Sequence, residues 1–241
     1  MLDFEEEYLI SLCIKYRESF EKLNQTVKEL ELSREYGRGG RTLHRGFYCP
    51  SPVQDIIIGG CDRGRLVRKP KSELPVDYIY RKASDKLIIV DKNAFKSDNT
   101  FFLSTREFII DNKAEVIAPK YDMSHIAYSS TSHDLSFFSL CRYDSSGRII
   151  KYLTIQPDFS LTGDTFTVNK KRCFYCGEQF SYNEQTGLLE SVIIGQKMGI
   201  KSFEDSDSYR FFHDEIGYLV SYQNIKTGTL REIAKRKRRM I

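Results

Sequence analysis

Residues 137–155, FFSLCRYDSSGRIIKYLTI, decide the fold class. Two runs rich in aromatic and aliphatic residues, Phe137 to Tyr143 and Ile149 to Ile155, are joined by Asp144-Ser145-Ser146-Gly147. Such runs suit a pleated, half-buried surface, and the link holds the residue types that tolerate turn dihedrals. The stretch therefore reads as a β-hairpin. Four others read the same way. Tyr78-Ile79-Tyr80 and Leu87 to Val90 flank Ala83-Ser84-Asp85; Phe108-Ile109-Ile110 and Val116-Ile117-Ala118 flank Asp111-Asn112-Lys113. Phe174 to Tyr182 and Leu188 to Ile194 flank Asn183 to Gly187; Tyr209 to Phe212 and Tyr218 to Ile225 flank His213 to Gly217. Hairpins consecutive in sequence usually neighbour one another in space, so a large twisted antiparallel meander of roughly ten strands is expected.

Upstream the period changes. Leu9, Cys13, Tyr16, Phe20, Leu23, Val27 and Leu30 step by three and four residues, an apolar stripe on a helix over 4–33. Gly37 is the expected stop. The stripe needs a cover, either the chain's own sheet or a second copy in a homodimer. The fold class is therefore α+β, mainly β, with an N-terminal amphipathic helix ahead of the meander. The chain divides into an N-terminal helix at 1–36, a basic Gly/Pro-rich loop segment at 37–75, the meander at 76–230 and a basic tail at 231–241, all within one domain. Within 37–75 the run Val53 to Ile58 reads as one short strand.

The hairpins share more than turn chemistry. Tyr143-Asp144-Ser145-Ser146-Gly147-Arg148-Ile149 resembles the unit of Rhs/YD-repeat proteins: Tyr-Asp, two variable residues, Gly-Arg and an aliphatic residue. Tyr182-Asn183 through Gly187-Leu188 and Phe212 through Gly217-Tyr218 follow it in outline, each read with one extra turn residue. Small bacterial proteins built on such hairpins resemble open sheets, and some resemble immunity proteins of polymorphic toxin systems. The resemblance implies protein binding through a sheet surface, with a toxin domain as the partner.

With 40% hydrophobic and 13% aromatic residues the chain can bury a substantial core. No run approaches the length of a membrane-spanning helix, and the first residues, MLDFEEEYLI, do not resemble an export signal. A cytoplasmic location with free thiols is expected for Cys13, Cys49, Cys61, Cys141, Cys173 and Cys176. The net charge of +4 is unevenly placed: Lys235-Arg236-Lys237-Arg238-Arg239 contributes five cations, and residues 34–71 hold nine Lys and Arg against Glu35, Asp55 and Asp62. The rest of the body is acidic.

Four features could carry chemistry. Cys173-Phe174-Tyr175-Cys176-Gly177 has the spacing of a zinc knuckle. If this stretch is extended, the two thiols point to opposite faces and share no metal. No second Cys pair accompanies them, so structural thiols are expected, with no catalytic residues and no cofactor assigned. His125 and His133 bracket a polar stretch and read as loop histidines beside Asp134. The glycine-arginine loops place Arg41, Arg45, Arg63 and Arg65 where an acidic partner or a phosphate could meet them. Lys235, Arg236 and Arg238 extend that basic character into a tail read as a solvated end. The expected function is a non-enzymatic protein-binding module, in its sharpest form an immunity protein. The alternatives are a nucleic-acid-binding protein using residues 34–71 and the tail, and a metal-dependent hydrolase or nuclease.

Overall fold

A computed structural model describes residues 2, 4–29, 33–39, 46–57, 63–67, 78–84, 87–95, 101–111, 121–129, 135–201, 204–235 and 238–241. The chain is mainly antiparallel β with an N-terminal helix. The helix α1 (Glu6–Glu29) precedes β1 (Ser33–Arg38), the short helix α2 (Gln54–Ile57) and β2 (Arg65–Val67). Next come β3 (Tyr78–Ser84), β4 (Leu87–Phe95), β5 (Phe101–Asp111), β6 (Tyr121–Ser129), β7 (Leu135–Tyr143) and β8 (Ile149–Gln156). Two short strands, β9 (Phe159–Thr162) and β10 (Thr165–Val168), pair only with each other. The series ends with β11 (Phe174–Tyr182), β12 (Leu189–Met198), β13 (Glu204–His213), β14 (Leu219–Asn224) and β15 (Leu230–Glu232).

Thirteen of these strands form one sheet in the order β15-β14-β13-β12-β11-β8-β7-β6-β5-β4-β3-β1-β2. Every pairing is antiparallel. Among the described residues, each rim of the sheet is a strand of three residues, β2 or β15.

Alternation of side chains across β7, β8 and β11 sends Phe138, Leu140, Leu153, Ile155 and Tyr175 to one face. There they meet Leu9, Ile10, Cys13 and Tyr16 of α1, together with Leu2 and Phe4. Tyr16 stacks on Phe138 with centroids 5.7 Å apart, and Phe4 meets Tyr175 edge-on at 5.2 Å. Gly177 faces the same way, and a Cβ there would come within 2.5 Å of Leu2. Three glutamates at the helix start pin it to several strands. Glu5 pairs with Arg142 and with Lys151, Glu6 with Lys197, and Glu7 with Lys170. Carboxylates also suit the positive end of the helix dipole. This half of α1 is covered by the chain's own sheet at Leu9, Cys13 and Tyr16.

The opposite face is covered as well. Val53, fully buried, lies against Cys141, Tyr152, Phe180, Val192, Phe211 and Tyr222, with Ile56, Ile57 and Ile241 packed beside them. This part of the sheet is therefore covered on both faces.

Several sequence readings are revised. The helix stops before Ser33–Arg38, which is strand β1, and Gly37 pairs with Tyr78 and Leu66 inside the sheet. Residues 53–57 are not a strand: Ser51 Oγ accepts from Val53 N and Gln54 N, both at 3.3 Å, and α2 follows. The Ser51 hydroxyl cap and Pro52, whose φ is preset for a helix start, outweigh the β-branched residues. His125 is in β6, opposite Ile109 and Ser139, and not in a loop. The strand that returns after β5 is Tyr121–Ser129; residues 116–118, like His133, lie outside the described residues.

Candidate binding surface

Three hairpin turns stand in a row at one end of the strands. In the β7/β8 turn, Asp144 Oδ1 accepts from Ser146 N and Arg148 N, both at 2.9 Å, and Gly147 N donates to Asp144 O. The β13/β14 turn repeats this: Asp214 Oδ1 accepts from Ile216 N at 3.2 Å and Tyr218 N at 2.9 Å, and Gly217 N donates to Asp214 O. His213 thus stands where Tyr143 stands, and this turn has no extra residue, contrary to the sequence alignment through Phe212. The β11/β12 turn is the longer variant. Asn183 Oδ1 accepts from Gln185 N at 3.0 Å and Thr186 N at 2.9 Å, and Gly187 N closes on Asn183 O. Gly147 and Gly217 have φ of 79° and 89°, a region that side chains with Cβ avoid.

Arg148 ties one turn to the next. Its Nε donates to Asp144 Oδ2 at 2.8 Å, and its guanidinium lies 4.8 Å from the centroid of Tyr182. Tyr182 in turn donates to Ile149 O at 2.9 Å, and burial pushes its phenol up to about 12.

Each hairpin shifts register just before its turn, at Arg142/Tyr143, Ser181/Tyr182 and Phe212/His213. Beside two of these shifts, backbone donors are met by the C-terminal segment. Leu189 N donates to Ile241 O at 3.1 Å, and Leu219 N donates to Arg239 O at 3.0 Å. Residues 239–241 are therefore laid across the sheet and are not a solvated end. The Arg239 side chain forks onto Asp55 at 2.6 and 2.8 Å and also donates to Pro52 O. Arg63 Nε approaches the same carboxylate at 3.2 Å and its guanidinium donates to Cys49 O at 2.9 Å. Burial works to raise the Asp55 carboxyl, but Arg239 and Arg63 hold it below its usual range.

Beside this clasp lies a fully buried acid. Glu178, on β11, accepts from Ser51 Oγ at 2.5 Å and from Gln54 Nε2 at 3.1 Å. Burial pushes its carboxyl up to about 7, while those hydrogen bonds and the Arg63 charge pull the other way.

Several sequence-predicted site residues are already committed. Arg63 is held by Asp55 and the backbone of 49–51. Arg238 donates from Nε to Ile233 O at 3.3 Å. Arg65 is exposed on rim strand β2, opposite Arg38, and Lys235 is exposed. Arg41, Arg45 and Arg236 lie outside the described residues. Cys173 packs under α1 near Cys13 and donates to Asn169 O, whereas Cys176 lies on the other face beside Glu178. The two thiols share no metal between them, and among the described residues no three His, Cys, Asp or Glu side chains are grouped to hold one. Nor, among those residues, is any helix long and apolar enough to cross a membrane.

The open chemistry of this end is apolar. Around Gly217 stand Ile216 at 67% exposure, Tyr218 at 38% and Met240 at 62%, with Leu188 beneath them. Phe212 enters the same hairpin at 37% exposure. Exposed carboxylates flank the patch: Glu184 and Glu215 in the turns, and Glu190 at the start of β12. No protein-family model matches the chain, and neither does any curated protein. The surface must be read from its own chemistry. Sequence reasoning passed over Ile216 and Tyr218 because one occupies a turn and the other begins a run of strand character. Met240 looked like part of a charged tail.

Proposed function

We propose that the chain is a non-enzymatic protein-binding module whose docking surface is the turn end of β11 to β14. The observation that carries this reading is the exposed apolar group of Ile216, Tyr218 and Met240 around Gly217, on a stiff support. Its turns spend their backbone donors on Asp144, Asn183 and Asp214, so exposing the patch costs no local order. Large apolar side chains inside a polar rim are the composition of a recognition surface. The rim supplied by Glu184, Glu190 and Glu215 selects for a basic partner and speeds its approach. In its sharpest form the reading is an immunity protein that neutralises a basic toxin domain in the cytoplasm. The sheet then serves as a hairpin meander, with the amphipathic helix as its cover.

Nucleic-acid binding draws less support, because Arg63 and Arg239 are spent on Asp55. The test is co-expression with the products of adjacent genes, followed by gel filtration of the complex. A basic protein should co-elute at 1:1, and the double variant Ile216→Asp with Tyr218→Asp should lose it by about 100-fold in Kd. If the double variant binds as the parent does, the turn end is not the docking surface. Nucleic acid that washes off in high salt would transfer the reading to the basic segments.

A further inference from the structure

At the other end of the same strands a concavity opens between α2 and the rim of the sheet. It encloses about 290 Å³ and is lined by Ile57, Tyr209, Tyr222, Asn224, Thr227, Thr229 and Arg231. This is the small end of the range for ligand pockets, enough for a single ring or a short chain. Tyr209 and Tyr222 form its aromatic wall, with centroids 5.9 Å apart and planes at 65°. Ile57 adds apolar surface from α2.

Most of the polar groups around it are already committed. Asn224 Oδ1 accepts from Lys226 N and Thr227 N, and its Nδ2 donates to Asp207 Oδ1 at 2.8 Å. Thr227 Oγ1 donates to Thr229 Oγ1 at 2.9 Å, so the proton of the Thr229 hydroxyl is directed elsewhere. Tyr222 donates to Ile56 O at 3.3 Å. Arg231 is opposite Tyr222 in the β14–β15 register, and its side chain is exposed at the mouth. The lining thus offers a guanidinium and a hydroxyl donor over an apolar floor, and it contains no carboxylate.

The geometry points to a binding site for a carboxylate borne on one ring or a short apolar chain. The guanidinium presents a two-pronged fork that matches a carboxylate, the Thr229 hydroxyl donates beside it, and the body of the ligand lies on Tyr209, Tyr222 and Ile57. Two sources share this chemistry, a free aromatic acid and the terminal carboxylate of a peptide ending in an apolar residue. The site lies away from the turn-end patch, so its occupancy is independent of that surface.

Nuclear magnetic resonance titration of the full chain tests this, with benzoate and phenylacetate against their neutral amides. Saturable shifts are expected for the acids with Kd on the order of 1 mM, and weaker ones for the amides. Arg231→Gln should weaken the acids about 10-fold and leave the amides unchanged, and Thr229→Val should act in the same direction. Arg231 is an exposed residue on the rim strand, and an unchanged amide spectrum elsewhere confirms that the variant folds. Acids binding no better than amides, acids unaffected by Arg231→Gln, or no saturation at all would each overturn the assignment. N-acetylphenylalanine is the arm that separates the sources: tighter binding than phenylacetate marks a peptide terminus, weaker binding a free acid, and either agrees with the site.

Discussion

At the scale of single residues, Glu178 gives the chain a pH dependence of its own. Its carboxyl is raised to about 7, so the folded chain keeps a proton that the unfolded chain gives up near 4.5. The contribution of this group is then full below the unfolded value and is lost as pH rises through about 7. The gap corresponds to about 3 kcal/mol. Glu178→Gln should remove this dependence, and the parent-minus-variant difference in urea stability should fall between pH 4.5 and 8. A flat difference would mean that the acid is solvated or ionised in the fold. Nothing local in Gly-Glu-Gln-Phe announces this group, because its partners Ser51 and Gln54 stand 127 and 124 residues away. The fate of Arg63 was equally hidden. A basic residue in a glycine-rich stretch looks available until its carboxylate is placed.

At the scale of elements, the turns were the most legible part because their chemistry is short-range. Asp144 and Asp214 each bind two backbone amides within four residues, so the hairpins could be read from sequence. Asp144→Ala and Asp214→Ala should each cost about 1 to 2 kcal/mol by urea unfolding at constant m-value. A loss at both positions, the larger at Asp144 because it also holds Arg148, would verify that the turns are built alike; a loss at only one would refute it. One misread element was α2, where Val53, Ile56 and Ile57 suggested a strand and the Ser51 cap decided otherwise. Ser51 also serves Glu178, so Ser51→Ala should cost about 1 to 3 kcal/mol, more than an exposed cap alone. Chemical denaturation of that variant checks it. The rim strands β2 and β15 were missed because three residues carry no periodicity.

At the scale of the whole molecule, the covers of the sheet come from segments far apart in sequence. The start of α1 reaches Lys197 on β12, and Arg239 reaches Asp55 across 184 residues. Single-sequence periodicity indicates that a face is apolar, but not which distant segment covers it. Arg239→Ala would leave the Asp55 carboxylate in its half-buried place with Arg63 as its remaining cation. It should cost about 2 to 4 kcal/mol. In a double-mutant cycle with Asp55→Ala the two losses should fall well short of additive, and strict additivity would dissolve the clasp.

The brevity of the two rims bears on how the molecule behaves in a crowd. An exposed strand edge is a template onto which another copy can zip, and the number of hydrogen bonds it can offer sets whether a fibre grows. Arg65-Leu66-Val67 and Leu230-Arg231-Glu232 offer three residues each, with an arginine in both. Among the described residues, a broad sheet of many strands thus ends in borders too short and too charged to recruit its own kind. Concentrated solutions should stay free of amyloid-like order.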